Sequence, residues 1–196
     1  MKSTFTPEAA LAFEAAPLVN LRYLAAAIAA LAIMVGAILA PGVLLLNFIH
    51  VLFGLLWTGI DLFMGFVIGP VLRAVSLDAR RQIITRLMPR MLYLMTTLSI
   101  VTGTTGWYLA DRMGLTSSTY ALFPWVVAAL VIVTILTIQG IGILLPTNLK
   151  VFLELRKREP DAERIGRWMR IYVTTVAMQG LLQVAIIVVM ARLRMG

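Results

Sequence analysis

The chain has 196 residues, of which 61% are hydrophobic and only 13% charged, and its mean hydropathy is +0.95. Soluble domains run near half apolar and about a quarter charged, so a water-soluble globular fold is excluded, and so is a disordered chain. The absence of Cys removes disulfides, thiolate metal sites, iron–sulfur clusters and Cys nucleophiles, and a single imidazole, His50, removes any site that needs two from one chain. A small polytopic membrane protein remains.

A helix crosses about 30 Å of hydrocarbon with roughly 20 apolar residues, and five segments qualify. Ahead of them, residues 1–17 read as a cytoplasmic or interfacial segment with a helix start at Thr6-Pro7-Glu8. The first span covers 21–40 and stops at Pro41-Gly42; it imitates a secretory signal, but the long preceding segment and the following proline read as a retained span. The second covers 43–72, long enough to tilt or protrude, and the third covers 91–110. The fourth covers 124–146 and opens on Pro124, which suits a first helical turn. Residues 156–170 mix both signs of charge and read as solvated helix ends around Pro160, and the fifth span covers 171–190. The expected fold is an all-α bundle of five transmembrane helices, one domain over 1–196.

Basic residues set the orientation. With the N-terminus inside, one face collects Lys2, Arg22, Arg73, Arg80, Arg81, Arg86 and Arg90, then Lys150, Arg156, Lys157, Arg158, Arg164, Arg167 and Arg170. The other keeps only Arg112, Arg192 and Arg194. This bias predicts a cytoplasmic N-terminus in a bacterial-type inner membrane, with the net charge of +8 on the cytoplasmic side beside anionic headgroups. Nucleic acid is not an expected partner, because these charges flank spans and form no separate domain.

Polar side chains in lipid turn toward the bundle interior, so helical spacing marks the inward faces. On the second span Asn47, His50, Gly54, Trp57, Asp61 and Met64 form one stripe. On the third, Met88, Met91, Met95, Ser99, Thr102 and Gly106 do so; on the fifth, Tyr172, Thr175, Gln179, Gln183, Ile186 and Met190; the fourth adds Gln139, Gly142 and Pro146. Ser, Thr and Gln in such stripes read first as interhelical hydrogen bonds, worth about 0.6 kcal/mol each on average. At 1.5 Å per residue, His50 lies about 10 Å deep, level with Met34, Gly103 and Gly106, and about 16 Å along the axis from Asp61. An intramembrane imidazole serves as a haem or metal ligand, a proton carrier or a packing residue. The small Gly103 and Gly106 face could admit a flat macrocycle, or simply a close helix contact. Asp61 is a candidate for proton handling, or a protonated donor to Gln139 or Gln179. Met88, Met91 and Met95 carry thioethers suited to Cu(I), although Met is also an ordinary core filler. No Walker loop, dinucleotide fingerprint, Ser/His/Asp set or zinc helix is present.

The run Phe48-Ile49-His50, Trp57-Thr58-Gly59, Phe63 and Pro70-Val71-Leu72-Arg73, followed by Thr102-Gly103, resembles the copper-resistance D family and its HemJ-type relatives over about 47–110. The HemJ-type likeness implies a b-type haem on His50, with electron transfer or a haem-linked oxidation; the copper-resistance likeness implies copper handling. The chain departs from both in lacking further His, and from the copper family in having fewer spans. The leading expectation is a haem-binding membrane protein, possible oxidoreductase, with His50 as iron ligand and the other axial position vacant, filled by Met34 or another thioether, or supplied by a second subunit; Trp57 is a packing partner and Asp61 handles protons. A cofactor-free accessory subunit of a larger membrane complex, or of a homo-oligomer, is the runner-up; copper transport is third.

Overall fold

The computed structural model describes residues 20–157 and 160–195. The segment expected at 1–17, with Lys2, Arg158 and Glu159, lies outside them. The described residues are 88% helical and contain no strand.

Helix α1 is Leu21–Leu39. Helix α2, Leu44–Phe63, runs through a π-helical stretch, Met64–Ile68, into α3, Gly69–Ala74. Helix α4 is Leu77–Arg112. Helix α5, Phe123–Thr137, continues through a second π-helical stretch, Ile138–Leu144, into α6, Leu145–Leu155, and α7 is Ala162–Met195. Four continuous helices, Leu21–Leu39, Leu44–Leu72, Phe123–Leu155 and Ala162–Met195, are long and apolar enough to cross a membrane by length and composition. The fifth, α4, has the length at 36 residues, but Ser, Thr and Gly dilute its 91–110 stretch. The chain is a multi-pass, all-α membrane protein.

Two spans extend beyond their apolar segments. Helix α4 starts at Leu77, not near Met91, and α7 at Ala162, not near Ile171. Hydropathy marks the part of a helix that sits in hydrocarbon, whereas backbone hydrogen bonding continues through polar turns. Both starts are capped: Ser76 Oγ accepts from the Ala79 N–H at 3.3 Å, and Asp161 Oδ1 accepts from the Glu163 and Arg164 N–H groups at 3.0 Å each.

Each π stretch immediately precedes a proline near a helix start, Pro70 and Pro146. Proline lacks the N–H for the i−4 carbonyl and its ring crowds that carbonyl; a wider turn relieves the clash and lets the rod continue. Helix ends are closed by arginines from elsewhere in the chain. Arg112 donates to the carbonyls of Ala40 and Gly42 at 3.0 Å and to that of Ile38, finishing α1 beside the positive-φ turn at Gly42. At the opposite end, Arg81 donates to Leu155 O at 3.0 and 2.8 Å and to Lys157 O at 3.0 Å, closing α6. The residues after α6 are solvated as their charges predict, with Arg156, Lys157, Asp161, Glu163 and Arg164 exposed; the carboxylate in the last turn of α6 is not. Glu154 is 4% exposed and is held by Lys157 Nζ at 2.7 Å and the Asp161 N–H at 3.3 Å, because its carboxylate serves as the anchor on which the loop folds back.

In the bundle, α4 packs on α2 and α1, while α7 packs on α5, α6 and α2. Near the 40–43 end the core is Ala37, Leu46, Ile49, Val101 and Leu109, with Met34 and Phe53 against it. Deeper lies a second cluster of Trp57, Leu98 and Leu136, joined by Met95 and Leu182.

Candidate functional site

Two polar centres lie on α2, one at each level of the core. At the upper one, His50 Nδ1 is 3.0 Å from the backbone oxygen of Thr102 and 3.4 Å from Thr105 Oγ1. Since Thr105 Oγ1 itself donates to Val101 O at 2.6 Å, the carbonyl of Thr102 calls for the proton on Nδ1 and leaves Nε2 with the lone pair. The ring lies directly on α4. A Cβ placed on Gly106 would stand 2.7 Å from His50 Cε1, so the imidazole fills the space that this glycine opens. Gly54 makes a second close approach, 3.4 Å from Thr102 Cγ2 to the position of a Cβ.

This arrangement bears on the haem expectation. The Nδ1–H bond to a carbonyl is the kind of outer-shell contact that orients a ligating imidazole. Of the residues expected around it, Gly106 faces the ring itself, Gly103 lines a cavity that His50 does not, and Met34 is packed in the apolar cluster. At His50 the ring offers one ligand atom, Nε2. Among the described residues, no group of three or more His, Cys, Asp or Glu gathers for a metal.

The second centre is built on Asp61. Gln179 Nε2 and Gln183 Nε2, one turn apart on α7, both donate to Asp61 Oδ2, at 2.7 and 2.8 Å. The two glutamines are 3% and 1% exposed, and their Oε1 atoms, like that of Gln139, find no partner among the described residues. The sequence offers a protonated Asp61 as donor to Gln139 or Gln179; here the Gln179 amide donates instead, Gln183 is an additional donor, and Gln139 does not bond Asp61. The i, i+4 spacing puts both amides on one face of the fifth span; that this face meets Asp61 with both of them is what the packing of α7 on α2 adds.

Asp61 forms part of the wall of a cavity of about 560 Å3. Trp57 joins it from α2; Met91, Met95, Ser99, Gly103 and Trp107 from α4; Gly140 from the second π stretch; Asn148 from α6; and Tyr172 and Gln179 from α7. Ile100, Trp107, Leu130 and Ile141 also line it and are exposed on the outside of the bundle, so the cavity opens sideways, toward lipid. His50 and Met88 are not in this wall; the methionine stripe therefore contributes Met91 and Met95 as apolar lining. Trp57 is buried against Leu98 and Leu136.

Compared with known protein families, curated proteins and solved structures, the chain has no match.

Proposed function

We propose that this membrane protein, inserted with its basic end toward the cytoplasm of a bacterial-type cell, takes up and releases a proton at Asp61 on the wall of the lipid-facing cavity. The observation that carries this reading is the convergence of two buried amides on Oδ2, which leaves Oδ1 as the oxygen for a proton. No cation among the described residues pairs with Asp61, and an uncompensated carboxylate in hydrocarbon is costly enough to mark function. The π stretch Met64–Ile68 begins within one turn of Asp61 and the second contributes Gly140 and Ile141 to the cavity; π turns recur at working sites.

Infrared difference spectroscopy of the protein in lipid nanodiscs tests it. A carboxylic acid C=O band should grow as pH falls and be missing in Asp61→Asn, which keeps an oxygen for both glutamine amides and so keeps the fold. If no titrating band depends on Asp61, the carboxyl is only a packing group and the proposal fails.

One observation favours a second reading: the lone pair left on His50 Nε2 is what an axial haem ligand requires, as the resemblance to HemJ-type proteins implies. Protein purified with ample haem should then show a Soret band that His50→Ala removes and Asp61→Asn retains. Without a Soret band the haem reading falls.

A further inference from the structure

We propose that the cavity beside Asp61 binds a lipid-soluble organic cation, a protonated amine on an aromatic or apolar body, in place of the proton. This rests on the proton-handling reading of Asp61 and adds the class of ligand. The first ground is charge. Asp61 Oδ2 is engaged by Gln179 and Gln183, and an ionised carboxylate removed from water needs a counter-charge close by. A mobile cation supplies one as well as a proton does.

The second ground is hydrogen-bond demand. Gln179 is 3% exposed, lines the cavity and leaves its Oε1 without a partner. Together with Asp61 Oδ1, Gln179 Oε1 gives the site two acceptors without donors among the described residues. An ammonium offers N–H groups to both; an anion or a purely accepting group offers none.

The third ground is the wall. Trp57, Trp107 and Tyr172 all line the cavity, and aromatic faces attract cations most strongly where water is excluded. A volume of about 560 Å3 falls in the range of small-molecule sites. The opening past Ile100, Leu130 and Ile141 leads to lipid, where such molecules accumulate. The cavity-lining stretches of α4, α5 and α6 contribute no charged group, and Tyr172 on α7 is the other titratable group facing Asp61 among the described residues; His50 stands at the other level of the core.

The test uses the full chain in nanodiscs of zwitterionic lipid, with Trp125→Phe and Trp168→Phe so that Trp57 and Trp107 report. 9-Aminoacridine is the cation, acridine at alkaline pH its neutral counterpart, and acridine-9-carboxylate the anion. The cation should quench and bind about thirtyfold or more tightly than either counterpart, the loss expected when one partner of a desolvated charge pair is missing. Lowering the pH through the titration of Asp61 should weaken it about tenfold per unit, and Asp61→Asn should reduce it to the level of neutral acridine. Equal binding by Asp61→Asn, or by acridine or the carboxylate, overturns the inference. A titrating Asp61 carboxyl without aminoacridine binding also overturns it, while leaving the proton reading intact. Binding that Asp61→Asn abolishes, with no titrating carboxyl, supports the cation site and overturns the proton reading instead.

Discussion

At Gly106 a single added methyl group would meet the His50 ring. A Cβ there would lie 2.7 Å from Cε1 and 3.1 Å from Nδ1, too close for the ring to keep its bond to Thr102 O. Gly106→Ala should therefore displace His50 and cost about 1–3 kcal/mol, the usual scale of overpacking, read as a lowered unfolding midpoint in detergent. Gly103, one turn away, has nothing within 4 Å of the same added atom. Gly103→Ala should be neutral or slightly stabilising, since alanine is the better helix former. Equal midpoints for the two variants would refute the packing described at His50. The pair also separates two uses of glycine that spacing alone cannot tell apart: one makes room for a side chain and the other lines a cavity. At Asp61, Asn preserves an acceptor for both glutamines, whereas Leu would strand two buried amides at about 1–3 kcal/mol each.

Among the elements, α7 is the one whose start depends on a titrating group outside the membrane. The backbone N–H of Arg164, assisted by that of Glu163 and by the Arg164 and Arg167 charges, holds the Asp161 carboxyl below the ordinary carboxylate range against the opposing effect of burial. A carboxyl lowered on folding contributes stability that is complete above its unfolded value, about 3.9 for aspartate, and is lost as pH falls through the lower folded value. Amide exchange at Glu163 and Arg164, corrected for its intrinsic pH dependence, should accordingly quicken below about pH 4 in the wild type. Asp161→Asn keeps a cap but has no proton to gain, so its exchange should not change with pH. If wild type and variant respond alike, the cap is not what holds this turn. The same element carries Gln179 and Gln183 deeper in the bundle, so its register, set partly by this cap, bears on the geometry at Asp61.

For the whole molecule, the charge bias predicts the orientation: Arg80, Arg81, Arg86, Lys150, Arg156 and Arg164 belong to one end, against Arg112, Arg192 and Arg194 at the other. Because the chain has no Cys, single cysteines report cleanly. Glu163→Cys, at the basic end, should be shielded from an impermeant thiol reagent in intact cells, and Ser118→Cys, in the exposed 113–122 turn region, should label. The opposite pattern would invert every assignment to a leaflet, and with it the side from which a proton reaches Asp61. The lateral opening past Ile100, Trp107, Leu130 and Ile141 does not depend on that orientation, since it faces the bilayer either way.

Composition and spacing determined that this chain crosses a membrane repeatedly and which side of the second, third and fifth spans turns inward; on the fourth, Gly142 is exposed although Gln139 and Pro146 are half-buried. Tyr172, Thr175, Gln179, Gln183, Ile186 and Met190 are all at least partly buried, as their stripe predicts, and on α2 only Asn47 among its stripe is exposed. Such information is local: an unsolvated polar group avoids lipid wherever its helix is placed, and helical geometry relates its neighbours at three and four residues. Which inward residue meets which was decided by the tertiary structure. His50 and Thr102 are separated by 52 residues, and Asp61 and its glutamines by 118 and 122; nothing in the spacing within one helix specifies the rotation and depth of the next. Those come from side chains fitting together, as the imidazole does over Gly106, and from the turns and caps that set where helices begin and the arginines that close α1 and α6. The cavity arose the same way, as the space left between α4 and the helices carrying Gly140 and Asn148, and its placement beside Asp61 rather than His50 belongs to no single segment of the chain.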